Sequence, residues 1–269
     1  MALPRPSSTT TAIVTGASSG LGIHFATELA SLGHHVTIVA RREAPMVALA
    51  DAIARSGAPA PVLIVVADLS TKSGRELLWK KVAESGRTPS VLINNAGFST
   101  TGPASRAEVE REVALVRTNV EAVVALSTKV LSFMVEAGAG AILNVASTAA
   151  FQPLPGQGAY GASKAFVLSY THALAAEVAG SNITVTALCP GPVETGFAEA
   201  AGFSEEAVNV LPKIMWVRAD KVARAGLEGL GQGTSVVIPG LVNKVAAKFS
   251  RHAPPAFLAK VLAKRHPQL

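Results

Sequence analysis

Cysteine is almost absent from this chain of 269 residues, which contains only Cys189. A single cysteine can neither close an intramolecular disulfide nor supply a multi-cysteine zinc site. The composition therefore excludes a disulfide-stabilised scaffold and favours a reducing compartment. Residues Met1–Thr11 also lack the apolar stretch of a secretory signal. We therefore expect a cytoplasmic protein.

Aromatic residues are scarce, at 5% of the chain, so the core must be aliphatic. No segment approaches the roughly 18 consecutive apolar residues of a membrane-spanning helix, and we expect no membrane crossing. Charged residues make up only 16% of the sequence, against 49% hydrophobic residues. This balance excludes a disordered chain and is typical of a compact α/β domain, alone or with an extension.

Acidic residues are missing from the end of the chain. Residues 241–269 contain six lysines and arginines and no Asp or Glu, whereas basic and acidic residues are equal in number in residues 1–240. The net charge of +6 therefore lies entirely in a basic extension. The body shows no basic stripe with the aromatic or motif context of a nucleic-acid-binding face, so we expect no nucleic-acid partner.

Seven short aliphatic runs alternate with longer segments of helical periodicity. The predicted strands are Ala12–Val14, Val36–Val39, Val62–Val66, Val91–Ile93, Ala141–Val145, Ile183–Leu188 and Ser235–Ile238. The helices predicted between them are Gly22–Ser31, Arg42–Ser56, Lys72–Ser85, Glu108–Val135, Tyr160–Val178 and Ala219–Leu230. Nearly continuous apolar strands that alternate with helices predict a parallel sheet covered on both faces. We therefore predict an α/β fold of Rossmann type, a doubly wound parallel sheet of about seven strands.

A glycine-rich turn, Thr15–Gly22, joins the first strand to the first helix. Its pattern is Gly-x-x-x-Gly-x-Gly, formed by Gly16, Gly20 and Gly22. Glycines at this position let backbone N–H groups approach a pyrophosphate, whose charge the positive end of the helix dipole favours. Taken alone, the pattern is equally compatible with ordinary turn chemistry.

Tyr160 and Lys164 are four residues apart in a predicted helix, so their side chains share one face. An ammonium beside a phenol favours the phenolate, which makes Tyr160 the candidate general acid and base. Ser147 follows the fifth strand, at the edge of the sheet where open α/β sheets bind ligands. Each residue has an ordinary structural explanation by itself, but together with the glycine turn they favour a catalytic site.

The second strand ends in Arg41 and Arg42, where a protein that binds NAD usually has an acidic residue. Arginine binds phosphate bidentately and suits the 2′-phosphate of NADP(H), which is therefore the predicted cofactor. Ser18 of the glycine turn is a further candidate for that phosphate. In the alternative interpretation the two arginines only begin a solvated helix, and Glu43 reaches the ribose.

Several motifs, in a fixed order over about residues 10–240, resemble the classical short-chain dehydrogenase/reductase family. They are the Thr15–Gly22 turn, Asp68-Leu69, Asn94–Gly97, Asn119, Ser147, Tyr160–Lys164 and Pro190–Val193 with Thr195. The resemblance implies that residues 1–240 form a dinucleotide-binding and catalytic domain, followed by the extension, residues 241–269. It also implies a homodimer or homotetramer built on the predicted helices Glu108–Val135 and Tyr160–Val178.

The resemblance also implies roles for single residues. Asn119, Ser147, Tyr160 and Lys164 would be the catalytic set, in which Ser147 binds the substrate oxygen, Lys164 also binds the nicotinamide ribose, and Asn119 holds a water that connects Lys164 to solvent. No metal is expected. The implied cofactor-binding residues are Gly16, Ser18, Ser19, Gly20, Leu21, Gly22, Arg41, Arg42, Asp68, Leu69, Asn95, Ala96, Gly97, Tyr160, Lys164, Pro190, Gly191, Val193 and Thr195.

Three segments are expected to surround the nicotinamide, and they are rich in large apolar residues. These residues are Phe98, Phe151, Leu154, Phe197, Phe203, Met215 and Trp216. They favour a hydrophobic ketone or aldehyde, with 3-oxoacyl and steroid-like compounds as candidates, although packing beneath a loop explains them equally well. We expect an NADP(H)-dependent oxidoreductase that interconverts a carbonyl compound and its alcohol. The alternative is a non-catalytic dinucleotide-binding protein with a regulatory or assembly role.

The extension has the pattern of a basic amphipathic helix. Leu241, Val245 and Phe249 recur every four residues, while basic residues occupy another face. After Pro254-Pro255 the pattern resumes, with Phe257, Leu258, Val261 and Leu262 against Lys260, Lys264 and Arg265. In one interpretation the apolar faces pack over the substrate opening or a neighbouring subunit. In the other, the cations recruit an anionic membrane surface or an acidic acyl carrier.

Overall fold

The computed structural model describes residues 3–58, 61–203 and 212–264. Its main sheet has seven parallel strands in the order β3-β2-β1-β4-β5-β6-β9. A second, two-stranded sheet pairs β7 with β8. The strands are β1 (Thr10–Thr15), β2 (Val36–Ala40), β3 (Leu63–Val66), β4 (Thr88–Asn94), β5 (Gly140–Val145), β6 (Ile183–Leu188), β7 (Val193–Glu194), β8 (Val217–Arg218) and β9 (Val236–Val237). The predicted doubly wound α/β fold is confirmed.

The helices of the described residues are α1 (Leu21–Ser31), α2 (Glu43–Arg55), α3 (Lys72–Glu84), α4 (Val109–Val116), α5 (Ala122–Ala137), α6 (Gly158–Glu177), α7 (Phe197–Ala200), α8 (Ala219–Gly231), α9 (Leu241–His252) and α10 (Pro255–Ala263). The helices that pack on the two faces of the main sheet are α1, α2, α3, α5, α6 and α8. A π-helical segment, Arg117–Glu121, joins α4 to α5. The segment Glu108–Val135, predicted as one regular helix, therefore contains a widened turn, a feature frequent at functional sites.

The core lies in two layers because successive strand residues point to opposite faces of the sheet. Ala12 and Val14 of β1 pack with Phe25 of α1 on one face, and Ile13 packs with Leu126 of α5 on the other. Apart from Phe25, the largest fully buried side chains of the described residues are those of Ile, Leu and Met. The core is therefore aliphatic, as the composition predicts.

A buried polar network ties the middle of the sheet to the helices behind it. The Asn94 Nδ2 donates to Ser127 Oγ (3.0 Å) and to Asn144 Oδ1 (2.8 Å), and the Asn144 Nδ2 donates to Thr171 Oγ1 (2.9 Å). These bonds join β4 and β5 to α5 and α6. The network therefore fixes the strand ends and the helix that present the site.

The extension folds back onto the body as two helices, α9 and α10, in agreement with the predicted pattern. The side of α9 that faces the body buries Asn243 and Ala247. Arg265 lies outside the described residues. The division of the chain at residue 240 stays a prediction. Within the described ranges, no helix combines the length and the apolar character required to cross a membrane.

Candidate active site

A cleft of about 890 Å³ opens at the carboxyl ends of the central strands. Nearly all predicted site residues line it: Gly16, Ser18, Ser19, Gly20, Leu21, Arg41, Arg42, Asp68, Leu69, Asn95, Ala96, Gly97, Ser147, Tyr160, Lys164, Pro190, Gly191, Val193 and Thr195. Gly22 and Asn119 are buried and lie outside the lining. The structure therefore brings together residues that are more than 170 positions apart in the sequence.

The glycine turn is packed tightly against the end of β4. Gly16 has φ +67°, and a Cβ at this position would lie 2.8 Å from the Ala96 Cα. A Cβ at Gly22 would collide with the Gly16 carbonyl oxygen. The Thr15 Oγ1 accepts hydrogen bonds from the backbone N–H groups of Asn95 and Ala96, both at 2.9 Å. Glycine is therefore required at positions 16 and 22 by the close approach of backbone.

The start of α1 has the features of an anion site. Gly20, the residue before the helix, provides no side-chain cap, and the first turn contains no acidic residue. Gly20 and Leu21 line the cleft. The first N–H groups of a helix have no partner within the helix, and the helix dipole favours negative charge beside them. This end of the cleft therefore fits a pyrophosphate group.

Arg42 reaches the same turn from the end of β2. Its Nη2 donates to Ser18 Oγ (3.1 Å) and to the Ser18 carbonyl oxygen (3.3 Å). Arg41 also lines the cleft, whereas Glu43, the first residue of α2, is exposed and lies outside the lining. The geometry favours a cationic contact to a phosphate over the alternative in which Glu43 binds a ribose.

Tyr160, Lys164 and Ser147 meet at the floor of the cleft. The Lys164 Nζ donates to the Val145 carbonyl oxygen (2.7 Å) and lies 5.8 Å from the centroid of the Tyr160 ring. The Ser147 Oγ accepts from the Ala149 N–H (3.1 Å) at the start of a 3-10 helix, Thr148–Phe151. Helix α6 and the end of β5 thus hold the three side chains on rigid elements.

Burial controls the charge state of this group. Burial raises the pKa of Tyr160, and a hydrogen bond from Ser147 opposes the rise only in part. Burial also lowers the pKa of Lys164 to about 8, with a small opposing effect of Cys189. The shift of the Tyr160 pKa is opposite to the lowering by Lys164 that the sequence predicts. Tyr160 is therefore a neutral phenol at neutral pH, the form that donates a proton.

Asn119 lies in the π-helical segment, behind the wall of the cleft. Its Oδ1 accepts from the Phe98 N–H (3.1 Å), and its Nδ2 donates to the Phe98 carbonyl oxygen (3.0 Å) and to Ser163 Oγ (3.1 Å). A Cβ at Gly97 would lie 2.9 Å from that Oδ1 and 3.6 Å from the Lys164 Nζ. The amide thus joins the loop after β4 to α6. Its contact with a water stays a prediction.

The other half of the cleft is apolar. Six of the seven predicted side chains line it: Phe98, Leu154, Phe197, Phe203, Met215 and Trp216. The Phe197 ring lies 5.9 Å from the Tyr160 ring, centroid to centroid. The prediction for Phe151 is wrong. Ala149 and Gln152 line the cleft, whereas Phe151, the last residue of the 3-10 helix, packs against the extension, with its ring 5.9 Å beneath the Arg251 guanidinium.

Two glutamines in this half were not predicted. Gln152 and Gln157 line the cleft, and the Gln157 Nε2 donates to Ser99 Oγ (2.8 Å). The Gly102 N–H donates to the Gly156 carbonyl oxygen (2.9 Å) and joins the same two loops. Isolated polar residues in loops carry no periodic signal, so no sequence pattern distinguishes these two glutamines.

Asn243 of the extension braces the cleft from behind. Its Nδ2 donates to the carbonyl oxygens of Met215 (3.0 Å) and Pro239 (3.1 Å), and the side chain is 1% exposed. A Cβ at Gly191 would lie 2.5 Å from the Asn243 Oδ1. Helix α9 therefore contacts both walls of the cleft. The described residues contain no cluster of His, Cys, Asp or Glu that could bind a metal ion.

Known proteins resemble this chain in sequence and in structure. A sequence profile described as short chain dehydrogenase matches residues 10–205. An uncharacterized oxidoreductase from Staphylococcus epidermidis is 29% identical over 209 residues, 76% of this chain and 89% of that protein. A short-chain dehydrogenase from Sphingobium yanoikuyae in complex with NADPH is 31% identical, with a TM-score of 0.78 over 92% of this chain and 97% of its own.

A second solved structure, the bulky-bulky ketone specific alcohol dehydrogenase from Comamonas testosteroni, is 27% identical. Its TM-score is 0.75 over 93% of this chain and 97% of its own. The profile spans more than half of the sequence, and both solved structures cover nearly all of it. The chain therefore belongs to the short-chain dehydrogenase/reductase family.

Proposed function

We propose that this protein is an NADP(H)-dependent oxidoreductase that interconverts a hydrophobic ketone or aldehyde and its alcohol. One observation carries the proposal. A group formed by the buried Tyr160 and Lys164 and the half-buried Ser147 lies where a phosphate-binding half of the cleft meets an apolar half. The arrangement combines a cofactor site, a proton donor and a substrate pocket in one cleft.

The choice of NADP(H) rests on the end of β2. The hydrogen bonds from Arg42 to Ser18 place a guanidinium beside the glycine turn, and Arg41 lines the cleft next to it. Such groups favour a 2′-phosphate over a ribose diol. The relative from Sphingobium yanoikuyae, which is in complex with NADPH, supports the same choice.

In the proposed reaction, the glycine turn and Lys164 would hold the cofactor, whose nicotinamide would supply the hydride for the carbonyl carbon. Tyr160 donates its phenolic proton to the carbonyl oxygen, which becomes the hydroxyl of the alcohol. Ser147 donates a hydrogen bond to that oxygen and orients the substrate. The Lys164 ammonium stabilises the tyrosinate that remains, until solvent returns the proton. In the reverse direction, Tyr160 accepts the proton of the alcohol.

The apolar half of the cleft supports a bulky, hydrophobic substrate. Phe98, Leu154 and Phe197 surround the approach to Tyr160, and no described carboxylate lines this half. Compounds with this chemistry include 3-oxoacyl and steroid-like ketones. The relative from Comamonas testosteroni, an alcohol dehydrogenase specific for bulky-bulky ketones, agrees with this assignment.

A homo-oligomer belongs to the same proposal. Val109, Val113 and Val116 of α4 and Phe166 of α6 are large apolar residues with substantial exposure. An interface between copies that covers α4 to α6 would remove them from water. A monomeric mass at micromolar protein concentration would contradict the proposed homo-oligomer. The predicted cytoplasmic location is part of the proposal, since the free, buried Cys189 suits a reducing compartment.

The test is NADPH oxidation by the purified full-length protein, measured against hydrophobic ketones, 3-oxoacyl thioesters and aldehydes. We expect turnover with at least one bulky ketone, and little with small hydrophilic carbonyls. NADPH binding is measured in parallel by the change in its fluorescence. Tight NADPH binding with no turnover of any carbonyl would instead support the non-catalytic dinucleotide-binding alternative.

A further inference from the structure

Helix α9 presents its apolar side chains to solvent. Leu241, Val245 and Phe249 are 77%, 63% and 63% exposed. A helix on the surface of a globular protein normally turns its apolar stripe toward the core. Here the side that faces the body carries Asn243 and Ala247 instead. The interpretation in which this apolar face packs over the substrate opening is therefore wrong for α9, whereas packing on a neighbouring subunit stays a prediction.

Specific bonds fix this orientation. The Asn243 Nδ2 donates to Met215 and Pro239, and the Ser250 Oγ donates to Gln152 Oε1 (2.8 Å). Asn243 and Ser250 are seven residues apart, which is close to two helical turns, so both lie on one side of α9. Rotation of α9 to bury Val245 and Phe249 would break all three bonds.

Cations flank the exposed row. Lys244, Lys248 and Arg251 lie beside it on α9, and Lys260 and Lys264 follow on and after α10. Residues 241–264 contain no acidic residue, and the salt bridges of the described chain involve none of these five cations. Val245, Lys248, Phe249, His252 and Ala253 line a groove of about 400 Å³ on this outer side.

The exposed apolar row and the cations beside it together indicate the kind of partner that binds α9. A second copy of α9 would bring like charges together, which costs free energy at an interface. An anionic lipid surface instead accepts the apolar row into its acyl boundary and the lysines at its headgroups. We propose that α9 docks the protein on an anionic lipid surface through Leu241, Val245 and Phe249, with Lys244 and Lys248 at the headgroups.

Docking through the outer side of α9 places the apolar half of the cleft directly behind the docked helix. Ser250 contacts Gln152, and Asn243 contacts Met215, and both partners line that half. The protein would then act close to the lipid in which a hydrophobic carbonyl compound dissolves. This consequence rests on the proposed function, whereas the docking itself does not require the protein to be an enzyme.

The experiment is sedimentation of the full-length protein with phosphatidylcholine vesicles, with and without phosphatidylserine. We expect binding to the anionic vesicles at low salt. Raising the ionic strength to the physiological range, where the Debye length is about 8 Å, weakens it. Lys244→Gln and Lys248→Gln each lower the partition coefficient about fivefold. Val245→Ser with Phe249→Ser abolishes binding, and these exposed positions leave the fold intact.

Matched control variants distinguish an effect of the α9 surface on vesicle binding from a general effect of lost charge or lost apolar surface. Lys72→Gln and Lys80→Gln remove exposed cations of α3, and Leu32→Ser removes an exposed apolar side chain after α1. All three are expected to sediment like the wild type. Circular dichroism melting of each variant verifies folding.

Three outcomes would overturn the proposal. One is no sedimentation with anionic vesicles at low salt. Another is equal sedimentation with neutral and anionic vesicles. The third is that analytical ultracentrifugation finds the wild type to be an oligomer and the Val245→Ser/Phe249→Ser variant to be dissociated. In that case the partner of α9 is a second copy of the chain. If vesicles do not bind but an acidic acyl carrier protein does, the partner is a carrier and not a lipid surface. None of these outcomes depends on NADPH oxidation.

Discussion

The two halves of the cleft are held by different kinds of interaction. In the cofactor half, segments of backbone pack directly against each other. Gly16 leaves no room for a Cβ beside Ala96, and the Thr15 side chain accepts hydrogen bonds from two backbone N–H groups at the end of β4. In the substrate half, loops are joined by single side-chain bonds, such as Gln157 to Ser99 and Asn243 to Met215. The first half tolerates few substitutions, whereas the second can change its shape and leave the sheet intact.

This difference between the two halves predicts which binding or kinetic constant a substitution changes. A change in the cofactor half alters NADPH binding for every substrate, and a change in the substrate half alters KM for the carbonyl compound alone. Tyr160 and Lys164 lie at the boundary, so substitutions there affect the chemical step itself.

Tyr160→Phe is expected to have the largest effect. It removes the proton donor with almost no change of volume, and general acid catalysis typically contributes about 10²–10⁴-fold to the rate. We expect kcat for carbonyl reduction to fall by that factor while the Kd of NADPH stays nearly unchanged, as measured by stopped-flow and fluorescence titration. Tyr170→Phe, on the same helix and the chain's other tyrosine, is the matched control. A near-normal kcat in Tyr160→Phe would end the assignment.

The pH dependence of Lys164 comes next. Burial lowers its pKa from 10.5 to about 8, so its charge is lost as the pH rises through about 8. We expect kcat/KM for NADPH to be level below pH 8 and to fall about tenfold per pH unit above it. Lys164→Met, similar in length but neutral, should lack this decline and remain at a low, pH-independent level. A decline that persists in Lys164→Met would assign it to another group.

The lowered pKa of Lys164 also predicts that stability rises with pH in the range where kcat/KM falls. Between pH 8 and 10.5 the native lysine has lost its proton and the unfolded one retains it. The unfolded state binds more protons in this window, so the contribution of Lys164 to the free energy of unfolding rises with pH. Urea unfolding of the wild type and of Lys164→Met at matched pH isolates the contribution of Lys164 to the free energy of unfolding. If this free energy varies with pH in the same way in both proteins, the lowered pKa of Lys164 is contradicted.

The cofactor half was the more predictable one, for a physical reason. Close backbone approach requires glycine at positions 16 and 22, and the approach of the Lys164 ammonium to the Tyr160 ring requires a spacing of one helix turn. The constraint therefore appears in the residue types themselves. Strands of the main sheet are also visible, because each is an apolar run between turn signals.

The substrate half was less predictable because its order comes from tertiary contacts. Strands β7 and β8 have two residues each, too few to show a period of two. The side chain of Phe151 lies outside the cleft and against Arg251 of α9, a contact between segments that are far apart in the sequence. The pattern of α9 predicts an apolar face, but hydrogen bonds of Asn243 and Ser250 decide which face meets the body.

Cofactor choice tests the first half. Each charge-assisted hydrogen bond to a phosphate contributes about 1.5–3 kcal/mol, which corresponds to about 10–100-fold in affinity. We expect Arg41→Ala combined with Arg42→Ala to erase most of the preference for NADPH over NADH, with the larger share from Arg42, which already contacts Ser18. Arg55→Ala, at the far end of α2, is the control. Equal loss of NADPH and NADH affinity would show that the arginines are structural.

Asn243 gives the smallest effect and the sharpest test of the substrate half. Asn243→Leu keeps the branched shape and brings no charge into this buried position, but it removes the N–H donors to Met215 and Pro239. The loop that carries Met215 therefore loses a tether while Gly191 keeps a packing partner. A lost hydrogen bond of about 1 kcal/mol corresponds to about fivefold, and we expect KM for the carbonyl compound to rise by that amount, with kcat and the Kd of NADPH within about twofold of wild type. Ser250→Ala, which frees Gln152 at the opposite side of the same half, should also raise KM for the carbonyl compound and spare NADPH. Thermal melting distinguishes a general loss of stability from this selective effect. If NADPH affinity falls as much as that of the carbonyl compound, Asn243 supports Gly191 more than Met215, and the two halves of the cleft are coupled through α9.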